Sequence, residues 1–173
     1  MCIRDRFGCA SEFTLENSLA GLKKFIKSRP IFKTSHVPYG YIVKKGNPLP
    51  FESISRNSFL NDFDFLRDCK VLAFAGIARN DDFLHTVESF NCDISNFIEF
   101  EDHHEYSDND LKRIISQAEK ASVEFLMTTE KDYAKIANRI TWPTDLVVIG
   151  IEISFINDSK AFADFIKATL SVA

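Results

Sequence analysis

Glycine is scarce in this chain of 173 residues, and the six that occur are scattered: Gly8, Gly21, Gly40, Gly46, Gly76 and Gly150. None is followed by lysine, so the phosphate-cradling loop G-x-x-x-x-G-K-[ST] is absent, as is G-x-G-x-x-G. Without such a loop no run of backbone N–H groups is arranged to surround a nucleotide's phosphates. Cysteine is sparse too. Cys2, Cys9, Cys69 and Cys92 contain no C-x-x-C pair, which argues against a zinc knuckle or a dithiol redox site and suits a reducing compartment. No apolar run reaches the roughly 18 residues of a spanning helix, and no apolar segment of signal-peptide type follows the charged start. Positive charge is not in excess. The formal net charge of −4 disfavours a nucleic-acid or polybasic membrane partner, although Lys23, Lys24, Lys27 and Arg29 form a local basic cluster.

What is present is core material. Apolar residues make up 45% of the chain and include 17 phenylalanines, enough for one globular domain with an appendage. From residue 71 onward apolar strand-length runs alternate with amphipathic stretches. Strands are expected at 71–77, 94–100, 124–128 and 146–153, and helices at 80–90, 107–120, 130–138 and 158–170. Asn80 or Asp81 would cap the first helix, Ser107 with Asp110 at N3 the second, and Thr128 or Thr129 the third. In the last helix Phe162, Phe165, Ile166 and Leu170 would face inward. Strict alternation of this kind predicts an α/β fold: a parallel sheet with helices on both faces, a three-layer α/β/α arrangement. Runs 71–77 and 146–151 are apolar throughout and should be interior strands.

The first 70 residues follow another pattern. Residues 14–28 can form an amphipathic helix, residues 30–45 one or two extended strands, residues 46–50 a turn, and residues 51–70 a connecting segment. The opening Met-Cys-Ile-Arg-Asp-Arg reads as translated cloning or sequencing adapter, which would put the true start upstream. The chain thus divides into an amino-terminal segment 1–27, linker strands and connector 28–70, and a carboxy-terminal α/β domain 71–173.

Three stretches could carry chemistry, each at the expected carboxyl end of a strand, where α/β proteins usually meet their ligands. The first is Gly76-Ile77-Ala78-Arg79-Asn80. Either Arg79 and a helix N-terminus face an anion, or Gly76 makes a tight turn and Arg79 is solvated. The second is Asp102-His103-His104-Glu105-Tyr106. A neutral imidazole accepts a proton near pH 7 and a carboxylate beside it holds its tautomer. The pair could instead ligate a metal, or merely form a polar loop ahead of a helix. The third is Thr128-Thr129-Glu130-Lys131-Asp132, either a well-capped helix start or hydroxyls and a lysine lining the same mouth as His103.

In this order, Ala73-Phe74-Ala75-Gly76-Ile77-Ala78, Phe100-Glu101-Asp102-His103-His104-Glu105-Tyr106 and Met127-Thr128-Thr129-Glu130-Lys131-Asp132 resemble the carboxy-terminal half of tetraacyldisaccharide 4'-kinase, the lipid A 4'-kinase. Arg29-Pro30-Ile31-Phe32-Lys33 is similar to the point where that family enters its interdomain linker. The resemblance runs from Ser28 to Ala173; Ala78 stands where glycine is frequent and Asn80 where proline is frequent.

The resemblance implies a P-loop kinase that moves the ATP γ-phosphate to the 4'-hydroxyl of tetraacyldisaccharide 1-phosphate, a lipid A precursor, at the cytoplasmic face of the bacterial inner membrane. The family's ATP and Mg²⁺ sites and its membrane contact belong to an amino-terminal kinase domain. This chain would then be a carboxy-terminal fragment, without a transmembrane segment, inactive alone and binding neither ATP nor Mg²⁺. That missing domain would be its partner and its only route to the membrane surface. By the same resemblance Asp102 and His103 match the family's Asp-His pair, which works with an aspartate of the other domain on the acceptor hydroxyl. Arg79, Thr128, Thr129 and Lys131 would line the substrate, and no residue would hold a metal. Two other readings compete. A DHH-type metal-dependent phosphoesterase would need further aspartates at strand ends, whereas Asp62-Phe63-Asp64 lies in an irregular segment. The other is a non-catalytic doubly wound binding module.

Overall fold

The computed structural model describes residues 2–4, 30–46, 60, 62–155 and 159–171. They group into two compact units, Pro38–Gly150 and the pair Met1–Val37 with Ile151–Ala173. Compactness therefore does not follow the sequence divisions at 27 and 70. The expected helix at 14–28 and most of the turn and connector at 46–70 lie outside the described residues.

Strands β1 (Cys2–Arg4) and β2 (Phe32–Val43) come first, then β3 (Lys70–Ala75), α1 (Asn80–Glu88), β4 (Asp93–Glu99), α2 (Asp108–Ala121), β5 (Phe125–Thr129), α3 (Glu130–Ile136), β6 (Asp145–Phe155) and α4 (Ser159–Leu170). Within the larger unit the strand order is β2-β6-β5-β3-β4. The pairs β3–β4, β3–β5 and β5–β6 are parallel. The α/β expectation holds, and β3 and β6 are interior strands as their apolar runs required.

Alternation along β3 sorts the core. Leu72 and Phe74 face one layer with Leu111, Ile114 and Ala118 of α2 and Tyr133 and Ile136 of α3. Val71, Ala73 and Ala75 face the other, with Phe83 and Val87 of α1, and Phe63, Leu66 and Phe90. Period-two side chains on a strand covered from both sides give this separation directly. The edge strand β4 is mostly exposed, and its register slips between Val71 and Leu72, where Ser95 donates its hydroxyl to the Val71 carbonyl at 2.9 Å.

In the smaller unit β1 pairs parallel with Phe32, Lys33 and Thr34. Phe162 of α4 meets Phe32 edge-on at 5.2 Å and stacks on Phe155 at 4.6 Å. The inward face expected for α4 is found only in part: Phe162 and Phe165 meet Phe32, but no residue of α4 is fully buried, and Leu170 is 71% exposed. A helical period predicts which residues share a face, but not that the face will be covered. Among the described residues no helix is long and apolar enough to cross a membrane.

Phe74 is fully buried at the centre of this arrangement, stacked with Trp142 at 5.9 Å and edge-on to Tyr106 at 6.2 Å. Phe74→Ala should destabilise the chain by about 3–5 kcal/mol in denaturant unfolding; a loss under about 1 kcal/mol would mean that β3 is not the centre of the core.

Candidate functional site at the carboxyl edge of the sheet

Parallel strands bring the segments after β3, β4 and β5 to one edge. After β3, Gly76 turns the chain. A Cβ there would lie 3.1 Å from the His104 Cβ and 3.2 Å from the Glu101 carbonyl oxygen, so glycine allows the loop after β4 to pack flush on this turn. Neither Asn80 nor Asp81 caps α1, contrary to the expectation; Arg79 occupies the N-cap position without a side-chain cap. The Asn80 amide joins two loops instead. Its oxygen accepts the Ile77 N–H at 3.2 Å, and its nitrogen donates to the Phe100 carbonyl at 2.9 Å. Arg79 is exposed and held by Asp82, Nε to Oδ2 at 2.9 Å.

After β4, the Phe100 N–H donates to the Ala75 carbonyl at 2.9 Å and the His104 N–H to the Glu101 carbonyl at 3.1 Å. His103 sits between these bonds with φ of 61°, in the left-handed region. Its N–H donates to Asp102 Oδ1 at 3.0 Å, while its Nε2 lies 3.6 Å from Asp102 Oδ2, too long for a hydrogen bond. The ring is 74% exposed. The neighbouring histidine differs in every respect. His104 is half-buried, stacks on Phe100 at 4.6 Å, and places Nε2 3.2 Å from Asp110 Oδ2. Of the two imidazoles, His103 is open to a reactant and His104 is built into the loop.

The cap expected at Ser107 is present as a full capping box. Asp110 Oδ2 accepts the Ser107 N–H at 2.8 Å and its hydroxyl at 2.7 Å, and the Ser107 Oγ accepts the Asp110 N–H at 3.2 Å. The Ser107 hydroxyl and amide, with His104 adding to them, hold the Asp110 carboxyl below the usual aspartate range.

After β5, Thr129 caps α3 by accepting the Asp132 N–H at 3.1 Å. Thr128 and Thr129 are both buried, so of the four side chains expected to line the mouth only Arg79 and Lys131 reach the surface. Alternation turns Thr128 toward the layer of α2 and α3, and its hydroxyl finds no partner among the described residues. Sequence reasoning missed Asp132. It is fully buried and accepts the Gly76 N–H at 2.9 Å and the Thr129 hydroxyl at 2.7 Å on one oxygen. Lys135 lies 3.5 Å from its other oxygen and donates to the His104 carbonyl at 3.0 Å. Burial, and then the Asp132 carboxylate, raise the pKa of the Tyr106 phenol, keeping it protonated. The only sequence signal for this role is the spacing Thr129-x-x-Asp132 directly after a strand. Among the described residues no three His, Cys, Asp or Glu side chains gather as a metal would require.

The edge is thus of the doubly wound α/β type, with an open imidazole on a loop tied to its neighbours on both sides. A model of the tetraacyldisaccharide-1-phosphate 4'-kinase family matches residues 16–171, and the chain belongs to that family. The match begins ahead of Ser28, where the resemblance was placed, so residues 16–27 are not an unmatched segment. A tetraacyldisaccharide 4'-kinase of Desulfatibacillum aliphaticivorans is 34% identical over 156 residues, which is 88% of this chain and 40% of that protein. One from Syntrophus aciditrophicus is 34% identical over 112 residues, 65% of this chain and 27% of that protein. A crystal structure of LpxK from Aquifex aeolicus in complex with ATP aligns with a TM-score of 0.47 and 19% identity, over 78% of this chain and 35% of that one. The chain therefore spans well under half the length of these relatives.

Acidification should expose the capping box. Because the folded Asp110 pKa is depressed, its stabilisation is complete above the ordinary carboxyl pKa of about 3.9 and is lost as pH falls through the lower folded value. Ser107→Ala should move the Asp110 midpoint upward in a carboxyl NMR titration and cost about 1 kcal/mol at neutral pH. An unmoved midpoint would mean that Ser107 does not hold the carboxylate.

Proposed function

We propose that this chain is the carboxy-terminal part of a lipid A 4'-kinase and supplies His103 as the group that orients or deprotonates the acceptor 4'-hydroxyl of a tetraacyldisaccharide 1-phosphate. The observation that carries this reading is the contrast between the two histidines: an exposed His103 ring beside Asp102, and a packed His104 beneath it. Family membership supports the reaction class. In-line phosphoryl transfer is mostly positioning and electrostatics, and a base that orients the nucleophile is the part a second domain can bring. Such a base contributes about 10²–10⁴-fold.

In this reading ATP and Mg²⁺ are not held by this chain. Its sequence holds no phosphate loop, and its described residues offer no three-ligand group. Both are assigned to the portion of the family protein that this chain does not span, as is any contact with the inner membrane. Asp102 stands beside the ring, its Oδ2 3.6 Å from His103 Nε2. Arg79 and Lys131 are the exposed cations placed to meet the substrate's negative charge; Thr128 and Thr129 support the edge from within.

The chain by itself, with ATP and Mg²⁺, should give no phosphorylation of the lipid disaccharide above a blank. Fused to the amino-terminal portion of the Desulfatibacillum aliphaticivorans relative it should turn over. In that fusion His103→Ala should lower kcat by about 10²–10⁴-fold with the KM for ATP nearly unchanged. His104→Ala should act chiefly on Tm. Equal, small kinetic effects from both would remove His103 from the mechanism.

A further inference from the structure

We propose that Lys135, held in place by Asp132, is a positioning residue for His103. The loop that carries His103 is fastened on both sides. On one side the Phe100 amide and carbonyl are bonded to Ala75 and Asn80. On the other the fastening comes from beyond β5. Lys135 Nζ donates to the His104 carbonyl at 3.0 Å, and Arg139 donates to the Tyr106 carbonyl at 2.6 Å. Between these points lies the turn Glu101 to His104, closed by the His104 N–H on the Glu101 carbonyl, and it places His103 in the left-handed region. The His104 side chain is fixed separately by Asp110 and by the Phe100 ring. The peptide that follows His104, and with it the end of the turn that carries His103, is therefore held by Lys135.

The contacts of Asp132 exceed what helix capping needs. A carboxylate at this place in α3 could satisfy the helix N-terminus while exposed. Here it is fully buried, and burial of an unpaired charge costs several kcal/mol. Its oxygens are taken by the Gly76 amide, the Thr129 hydroxyl and Lys135, which belong to the segments after β3 and β5. Lys135 in turn lies 5.9 Å from the centre of the Tyr106 ring and has only 20% of its side chain exposed. A buried carboxylate, a lysine aimed by it, and a carbonyl one residue after the open histidine form one chain of contacts. It fixes the height of the His103 loop above the sheet edge. The catalytic consequence rests on the kinase reading; the geometry does not.

The test uses the 173-residue chain with Lys135→Met, which keeps the aliphatic stem and removes the donor, and Lys135→Arg, which restores one. Amide exchange of His104, whose N–H is bonded to Glu101, should quicken about tenfold in Lys135→Met, the scale of one charge-assisted hydrogen bond. Amides in α2 and β5 should be unchanged. The ¹⁵N heteronuclear NOE of His103 should fall, and Lys135→Arg should recover both signals. Asp132→Asn, which can still accept from Gly76 and Thr129 but no longer attracts Lys135, should loosen the same turn. An unaltered His104 exchange rate, or a rise spread evenly through α2 and β5, would overturn the proposal. In the kinase fusion Lys135→Met should lower kcat without raising the KM for ATP, and Lys135→Arg should regain most of it. If His103→Ala leaves turnover intact while the loop still loosens, the kinase reading fails and the positioning stands. If His103→Ala abolishes turnover but Lys135→Met changes neither loop nor kcat, the positioning fails alone.

Discussion

Water reaches neither face of β3, and much of the larger unit follows from that constraint. A strand from Val71 to Ala75 with no exposed side chain must be covered twice, which requires helices on both sides. Parallel neighbours reached by helical crossovers meet this need. Because the neighbours are parallel, all strand ends of one kind gather together. Gly76, His103 and Thr129 are far apart in sequence and are brought to one edge by the direction of the strands rather than by any attraction among themselves. The bonds at that edge refine a placement that the hydrophobic core has already made.

Local patterns were readable where local physics decides. The capping box at Ser107 and Asp110 needs residues three apart, and it forms as its spacing predicts. The interior strands announced themselves by apolar runs with no polar alternation. Asn80 illustrates the opposite case. An asparagine at the start of a helix is expected to cap it, yet Asn80 is the first residue within α1 and its amide reaches the Phe100 carbonyl, 20 positions away in sequence. The competing partner was invisible until the loops were adjacent. The α4 helix is a partial case: amphipathic spacing identifies a stripe of Phe162, Phe165, Ile166 and Leu170, of which the first two meet Phe32 while Leu170 stays exposed, because spacing says nothing of how far a face will be covered.

At the site, composition exposed the histidines but not the difference between them. Two adjacent imidazoles look equivalent in a sequence; a left-handed turn at the first leaves one outside and folds the other against an aromatic ring. Asp132 was equally hidden, since a carboxylate in the first turn of a helix has a sufficient local explanation. Its bond to Gly76 spans 56 positions, and its complete burial depends on the packing of three segments. Buried polar groups of this kind are the part of a fold least visible to periodicity, because one residue breaks no pattern.

The backbone conformation of His103 narrows what evolution or an engineer can place there. Left-handed φ is tolerated by glycine, asparagine, aspartate and histidine far better than by β-branched residues. Isoleucine, valine or threonine at this position would clash with their own carbonyl before any question of chemistry arose. Lysine or glutamate, both able to handle protons, would meet the turn less comfortably than imidazole does. Position 103 therefore passes through a conformational filter that histidine satisfies, and under the proposed function it would pass through a chemical one as well. A swap for asparagine would separate the two, keeping the turn while deleting the imidazole.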